Sequence, residues 1–227
     1  MLLRNWTAIF AVTILAACQA SLETDDEIAS YGFGLDIGRS LEPTVAHLDR
    51  DALIRGIEDL LDGVEQAISD GQLAEVTERV GTLIREEQAA EFEALIETNR
   101  VEGEAYLASN AEKDNVTVTD SGLHYEVILE GEAGAARPTP ADRVTLHYRG
   151  TLIDGSEFDS SYSRGLPATF AVTGVIPGFS EGLQLMRVGS HYRFVIPSDL
   201  AYGPQGSGPD IGPNATLIFE IELIEVL

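Results

Sequence analysis

The sequence predicts an α+β protein. An all-helical N-terminal part with a long linking helix precedes an antiparallel β-sheet wrapped around a short helix. From Asp25 to Asn115 the only proline is Pro43, and apolar residues recur three and four positions apart, as on a helix face. After residue 115, apolar and polar residues alternate in five or six short segments, which is typical of strands with one buried face. The 227 residues suffice for one large domain or two small ones.

Residues 1–17 are predicted to be an export signal. Arg4 precedes a short apolar run that is too short to span a bilayer as a helix. The run ends in Leu15-Ala-Ala-Cys18, which contains the only cysteine and resembles the bacterial lipobox. We therefore expect lipidation of Cys18. In such lipoproteins an Asp after the cysteine commonly signals retention in the inner membrane, and this chain has Gln19 there. We therefore expect a lipid-anchored protein of the outer membrane that faces the periplasm or the cell surface. An ordinary signal peptide that contains a cysteine is the alternative.

Two helices are expected in residues 18–72. The first is indicated by Ile28, Tyr31, Leu35 and Ile37, and the second begins at an N-cap, Asp49 or Asp51. The predicted apolar face of the second helix is Leu53, Ile57, Leu60, Leu61, Val64 and Ile68. Glycines in the first helix favour close helix packing over a phosphate-binding loop, because no strand precedes them.

A much longer helix is predicted after Asp70-Gly71. Its apolar stripe continues to Asn110, a length of roughly 55–60 Å, and we assign residues 73–115 as the linking helix. No domain of this size can bury such a helix, and the preceding helices have few apolar partners. We therefore expect a homodimer formed through residues 18–72. Insertion of an amphipathic helix into a membrane surface is the competing idea, but its polar face is rich in Glu.

Residues 116–227 are expected to form the sheet domain. A joint at residues 115–119 is followed by strands at 123–129, 143–152, 169–173, 191–196 and 216–226, with a short helix at 178–186. The strand at 143–152 is central, and Asp154-Gly155 supplies the turn that reverses the chain. Phe158 and Asp159 then face Tyr148. An apolar floor with a few fixed polar groups predicts a small binding pocket.

The charge is strongly one-sided, with 14 Lys and Arg residues against 38 Asp and Glu residues and a net charge of -24. Nucleic-acid binding requires clustered positive charge, so we expect no nucleic-acid partner. The four histidines and one cysteine lack the spacing of metal ligands, and we expect no metal and no cofactor.

Several blocks of the second half resemble the FKBP-type peptidyl-prolyl cis-trans isomerase domain over residues 116–227. They are Val144–Gly150 with Gly155, Phe158-Asp159-Ser160-Ser161, Val175-Ile176-Pro177-Gly178-Phe179 with Glu181-Gly182-Leu183, Gly189, Ile196-Pro197, Ala201-Tyr202-Gly203 and Asn214–Phe219. Two blocks of the first half, Ser30–Gly38 and Asn99–Asn110, are similar to the dimerisation domain of the macrophage infectivity potentiator group of exported bacterial FKBPs.

The resemblance implies an isomerase (EC 5.2.1.8) that speeds folding of exported proteins at their X-Pro bonds. Its partners would be proline-containing unfolded or partly folded proteins, and rapamycin-type macrolides would inhibit it. The implied catalytic residues are Tyr148, Phe158, Asp159, Tyr202 and Phe219. The implied substrate-binding residues are Arg164, Val175, Ile176, Phe179 and Ile211.

Two departures from the family pattern bear on affinity. Phe179 stands where the best-known members carry Trp, and Asp210 lies just before Ile211, so we expect an altered rate and weaker macrolide binding. Two other functions are considered. One is a holdase chaperone that grips clients between two long helices, with isomerisation secondary. The other is a structural envelope lipoprotein with a vestigial pocket.

Overall fold

The computed structural model describes residues 22–227, so the predicted signal peptide and Cys18 lie outside the described residues. The chain divides into two compact units, one ending at Ile84 and the other spanning Arg85–Leu227. The boundary falls inside the longest helix. Among the described residues, no helix combines the length and apolarity that crossing a membrane requires.

The first unit consists of helices. Helix α1 spans Asp25–Leu41 and begins with a capping box, in which the Glu27 N–H donates to Thr24 Oγ1 and the Thr24 N–H donates to Glu27 Oε2. A 3₁₀ turn at Glu42–His47 contains Pro43. Helix α2 spans Arg50–Leu61, and its N-cap is Asp49, one of the two predicted candidates.

The prediction that the apolar face of α2 continues to Val64 and Ile68 was wrong. The helix ends at Leu61 because Gly63 adopts a left-handed conformation with φ of 68°, and the Val64 N–H folds back to donate to the Asp59 carbonyl at 2.8 Å. Glycine at this position is a common helix terminator, since it has no Cβ to oppose positive φ.

Helix α3 spans Asp70–Ala111, and its 42 residues correspond to a length of about 63 Å. Neither α1 nor α2 contains a buried residue. The only buried residues of α3 are Gly103 and Asn110, which both lie in the second unit. The described part of the first unit therefore has no core of fully buried side chains.

The second unit contains a seven-stranded antiparallel sheet with the order β1-β2-β6-β7-β3-β4, and β5 also pairs with β3. The strands are β1 Val116–Val118, β2 His124–Leu129, β3 Arg143–Leu152, β4 Glu157–Ser160, β5 Ala168–Ala171, β6 His191–Ile196 and β7 Leu217–Val226. Strand β1 falls in the segment that was predicted to be only a joint. Strand β3 pairs with β4, β5 and β7 and is the centre that the sequence predicted.

Helix α4, Pro177–Leu185, packs against this sheet through the common core. The helix lies very close to the sheet, because a Cβ on Gly182 would be 2.8 Å from the ring of Phe194. Val144, Leu146 and Tyr148 alternate into the core from β3. The predicted fold class, helices followed by an antiparallel sheet around a short helix, is confirmed.

Candidate active site

Four elements of the second unit bring aromatic rings together at one end of the core. Tyr148 comes from β3, Phe170 from β5, Phe179 from α4 and Phe219 from β7. The ring of Phe179 stands edge-on to that of Phe219, with centroids 5.0 Å apart, and Tyr148 lies 5.6 Å from Phe170 and 6.2 Å from Phe179. Phe158 of β4 extends the cluster, 5.5 Å from Phe219. We call these five residues the aromatic cradle.

The cradle closes because Gly150 of β3 carries no side chain. A Cβ at this position would be 2.6 Å from the ring of Phe158 and 2.9 Å from the ring of Phe219. Gly150 faces Phe219 across the β3–β7 pair, at the point where the β3–β4 register shifts. The rings of Phe158 and Phe219 therefore occupy the space that a side chain at position 150 would fill.

A polar cluster borders the cradle. The Tyr148 hydroxyl donates to Asp159 Oδ2, and the Arg164 guanidinium donates to Asp159 Oδ1 and, at 2.7 Å, to the Tyr148 hydroxyl. Burial alone would raise the pKa of Asp159, but the hydrogen bonds from Tyr148 and Arg164 outweigh it and hold that pKa below its usual range. Asp159 is therefore an oriented carboxylate that stays charged at neutral pH.

A cavity of about 220 Å³ opens next to the cradle. It is lined by Phe158, Asp159, Tyr202, Ser207, Asp210, Ile211 and Phe219. Five of the predicted site residues are thus brought to one cavity. Tyr148 and Phe179 lie behind it in the core, only 5% and 4% exposed, and Arg164 reaches it through Asp159.

Val175 and Ile176, the two other predicted substrate-binding residues, lie half-buried against the same core at the start of α4. Their side chains do not line the 220 Å³ cavity. Among residues 22–227, neither the Ile176 N–H nor the Tyr202 hydroxyl has a protein partner for hydrogen bonding. Both groups are therefore available as donors to the carbonyls of a bound peptide.

Sequence reasoning missed Phe170, and it did not single out Ser207 within the segment Tyr202–Pro213, which it placed over the pocket. Phe170 lies opposite Val144 in the β3–β5 pair and contacts the rings of both Tyr148 and Phe179. Its position in a short segment that alternates with Thr169 was the available signal, since that alternation places it on the core face. Nothing local marked Ser207, which reaches the cavity through the loop that follows Tyr202.

No group of three or more His, Cys, Asp and Glu side chains in the described residues is placed to hold a metal ion. The cavity instead combines the aromatic rings of Phe158 and Phe219, the oriented Asp159 carboxylate and the Tyr202 hydroxyl. Such a site suits a compact apolar ring flanked by peptide carbonyls, which is a proline residue in a chain. The fold and the cavity are thus those of a protein that binds a small, largely apolar group.

Comparison with known proteins gives the family. Residues 134–224 match the model of the FKBP-type peptidyl-prolyl cis-trans isomerase, and residues 26–127 match that of the domain amino terminal to it. The chain is 41% identical over 215 residues to the outer membrane protein MIP of Legionella longbeachae, covering 94% of this chain and 91% of the relative. It is 44% identical over 212 residues to the FKBP-type 22 kDa isomerase of Escherichia coli K12, covering 91% and 98%.

The crystal structure of FkpA from Escherichia coli is also similar, with a TM-score of 0.68 and 35% identity over 91% of this chain and 98% of that one. The chain belongs to the FKBP-type peptidyl-prolyl cis-trans isomerase family. Its activity is isomerisation of peptidyl-prolyl bonds (EC 5.2.1.8), and a chaperone function in which isomerisation is secondary is not favoured.

Proposed function

We propose that this isomerase acts on exported proteins in the cell envelope and that the cavity beside the aromatic cradle is where the X-Pro bond rotates. The observation that carries the site is the position of the oriented Asp159 carboxylate, which joins the cradle to the mouth of the cavity. The envelope location is supported by the relative named as an outer membrane protein. Lipidation at Cys18 and attachment to the outer membrane belong to the same proposal.

The chemistry requires no nucleophile. Rotation about the peptide bond has a barrier of about 18–20 kcal/mol, because the planar amide is stabilised by resonance. A twisted amide is less polar than a planar one, so an apolar cavity favours the twisted form over the ground state. Phe158 and Phe219 would surround the proline ring. The Ile176 N–H and the Tyr202 hydroxyl would hold substrate carbonyls on either side of the rotating bond.

Asp159 would lie against the twisting amide, and Arg164 and Tyr148 would fix the carboxylate by charge-assisted hydrogen bonds. As resonance is lost, the nitrogen no longer donates electron density to the carbonyl carbon, which becomes more electron-poor, and a fixed negative charge next to that carbon favours the twisted state. Because the pKa of Asp159 is depressed, this contribution is present throughout the neutral range.

The test is Asp159→Asn, which removes the charge and keeps the shape. We expect acceleration of a proline-limited refolding reaction by residues 19–227 to fall about tenfold or more, since an oriented charge is worth roughly 1.5–3 kcal/mol in a hydrogen-bonded site. The matched control is Asp120→Asn, an exposed turn residue in the same unit, which should leave the rate unchanged. An Asp159→Asn protein as active as the control would reject the assignment of the site.

Dimerisation is the second part of the proposal. The first unit exposes large apolar side chains of α1, including Tyr31, Phe33 and Leu35 at 56%, 69% and 42%. A groove of about 580 Å³ between α2 and the start of α3 is lined in part by Leu60, Val64 and Leu73. A second copy of this chain would cover these surfaces, in agreement with the match of residues 26–127 to the N-terminal domain.

A further inference from the structure

The loop that follows Tyr202 is a closed unit, which we call the flap, Gly203–Asn214. Its two ends are joined because the Asn214 N–H donates to the Gly203 carbonyl at 2.8 Å. Inside it, Ser207 and Ile211 exchange two backbone hydrogen bonds, of 2.8 and 3.2 Å. The flap supplies Ser207, Asp210 and Ile211 to the cavity, so any displacement of its base moves one whole wall of the substrate site.

The base of the flap rests on helix α3. Asn99 Nδ2 donates to the Pro213 carbonyl at 2.7 Å, and Asn214 Nδ2 donates to the Ile96 carbonyl at 3.4 Å. The backbone of Gly212 is equally close to the helix, because a Cβ there would be 3.0 Å from Asn99 Nδ2 and 3.7 Å from Leu95 Cδ2. Three consecutive flap residues therefore contact one stretch of α3 within the second unit.

The hydrogen bond from Asn99 pairs a buried carbonyl of the flap, that of Pro213. Pro213 is buried and, as a proline, has only a carbonyl to pair, and an unpaired buried carbonyl is costly. The next residue, Asn214, is the only non-glycine residue among residues 22–227 with positive φ, 53°. A side chain from outside the flap thus pairs the carbonyl immediately before a backbone conformation that few residues adopt.

We propose that Asn99 of α3 is a positioning residue of the isomerase site, which fixes the flap over the cavity and thereby sets affinity for the peptide residues next to proline. The inference rests on the proposed role of the cavity. It gives the C-terminal part of the linking helix a part in substrate binding. Asn99 itself would touch no substrate, because its amide is turned to the base of the flap and not to the cavity lining.

The test is Asn99→Asp, which is isosteric and places a carboxylate, an acceptor, against the Pro213 carbonyl. The matched control is Gln88→Glu, which makes the same amide-to-acid change on an exposed position of α3. For a short chromogenic X-Pro peptide, we expect Asn99→Asp to raise KM about threefold to tenfold, the range that one hydrogen bond supplies. We expect kcat to change less than about twofold, because the flap binds ground state and transition state alike.

A purely structural role would lower the melting temperature and leave the KM of the folded enzyme unchanged, and that result would overturn the inference. An equal rise in KM for Gln88→Glu would also overturn the inference, because the effect would then come from an added negative charge on α3 and not from the lost hydrogen bond. If Asn99→Asp does not fold, Asn99→Ala, which removes the donor without adding a repulsive acceptor, takes its place with the same expected KM change.

The wild-type protein in the same assay separates the two proposals. An inactive wild type would reject the proposed function together with this inference, whereas an active wild type with unchanged KM in the variants rejects this inference alone.

Discussion

Gly150 shows how a single residue decides whether the aromatic cradle can form. The rings of Phe158 and Phe219 occupy the space where its side chain would be, at 2.6 and 2.9 Å from a Cβ. We expect Gly150→Ala to force these rings apart and to lower stability by about 1–3 kcal/mol, the usual cost of overpacking a core. Isomerase activity should fall with it, because both rings border the substrate cavity.

Urea unfolding and the refolding assay measure the two effects of this change. Gly174→Ala is the control, since its Cβ would lie at an ordinary 3.4 Å from Ala171 Cβ. A Gly150→Ala protein with wild-type stability and activity would show that the cradle adjusts freely, and the close approach would then have no functional weight.

The residues of the site differ in how far the sequence could predict them. Asp159 was predicted by its place in a recognisable block and Arg164 by the family resemblance, and the structure brings both to Tyr148. The role of Asp159 stays a prediction until its substitution is tested. Phe170 was overlooked because an aromatic residue in a short strand is usually simple core, and only the register of β5 on β3 places it beside Tyr148.

At the scale of elements, alternation predicted β2, β3, β5, β6 and β7, whereas β1 and β4 are too short to carry the pattern. The pattern Val144, Leu146, Tyr148 corresponds to three buried side chains in β3. Helix ends were harder to predict. The apolar residues Val64 and Ile68 continue the spacing of α2 past its end, and only the backbone of Gly63 stops the helix. Strand β1 is three residues long and carries little pattern, so pairing with β2 is what defines it.

The end of α3 meets β2 at a buried histidine, and this contact gives a pH dependence. Asn110 Nδ2 lies 3.2 Å from His124 Nδ1, and Lys113 Nζ donates to Asn110 Oδ1 at 2.9 Å. The Asn110 carbonyl is thus occupied and its amide nitrogen faces the imidazole. A neutral imidazole accepts this bond, whereas a protonated one would place two donors against each other. Burial lowers the pKa of His124, so it also favours the neutral imidazole that accepts the bond from Asn110.

The unfolded chain therefore binds a proton at His124 at a higher pH than the folded chain does. The stabilisation from keeping His124 neutral is fully present above about pH 6.5, the ordinary pKa of histidine. It is lost as the pH falls below that value, and the loss stops once the folded chain also binds the proton. We expect the urea midpoint to fall between pH 7.5 and 5, and His124→Gln to reduce that fall. His191→Gln, on β6, is the control. An identical pH slope in wild type and His124→Gln would contradict the assignment.

At the scale of the whole molecule, the first unit exposes the apolar surface that the proposed homodimer would bury. The apolar residues of α1 lie on more than one side of the helix, since Phe33 and Leu35 point about 160° apart around its axis, yet none is buried among residues 22–227. A Cβ on Gly32, Gly34 or Gly38 would meet nothing within 4 Å, so the close helix packing expected at these glycines is not made within residues 22–227. A helix that is apolar on several sides is normally surrounded by other elements.

A homodimer explains this surface, and its charge makes the explanation testable. Each chain carries a net charge of -24, so two copies repel, and salt should strengthen their association by screening that repulsion. We expect light scattering on residues 19–227 to give a dimer whose dissociation constant falls between about 0.05 and 0.5 M salt, as the Debye length shortens. Leu35→Glu should shift the protein towards monomer, because it places a charge in the buried interface.

Ala89→Glu is the matched control, since it adds the same charge at an exposed position of α3 in the second unit, outside the proposed interface. Turnover of a short X-Pro peptide should stay unchanged in the Leu35→Glu monomer, because every residue of the proposed site lies in the second unit. A monomeric wild type, or a Leu35→Glu protein that remains dimeric, would reject this interface. Loss of peptide turnover in the monomer would instead mean that assembly of the first unit controls the isomerase site.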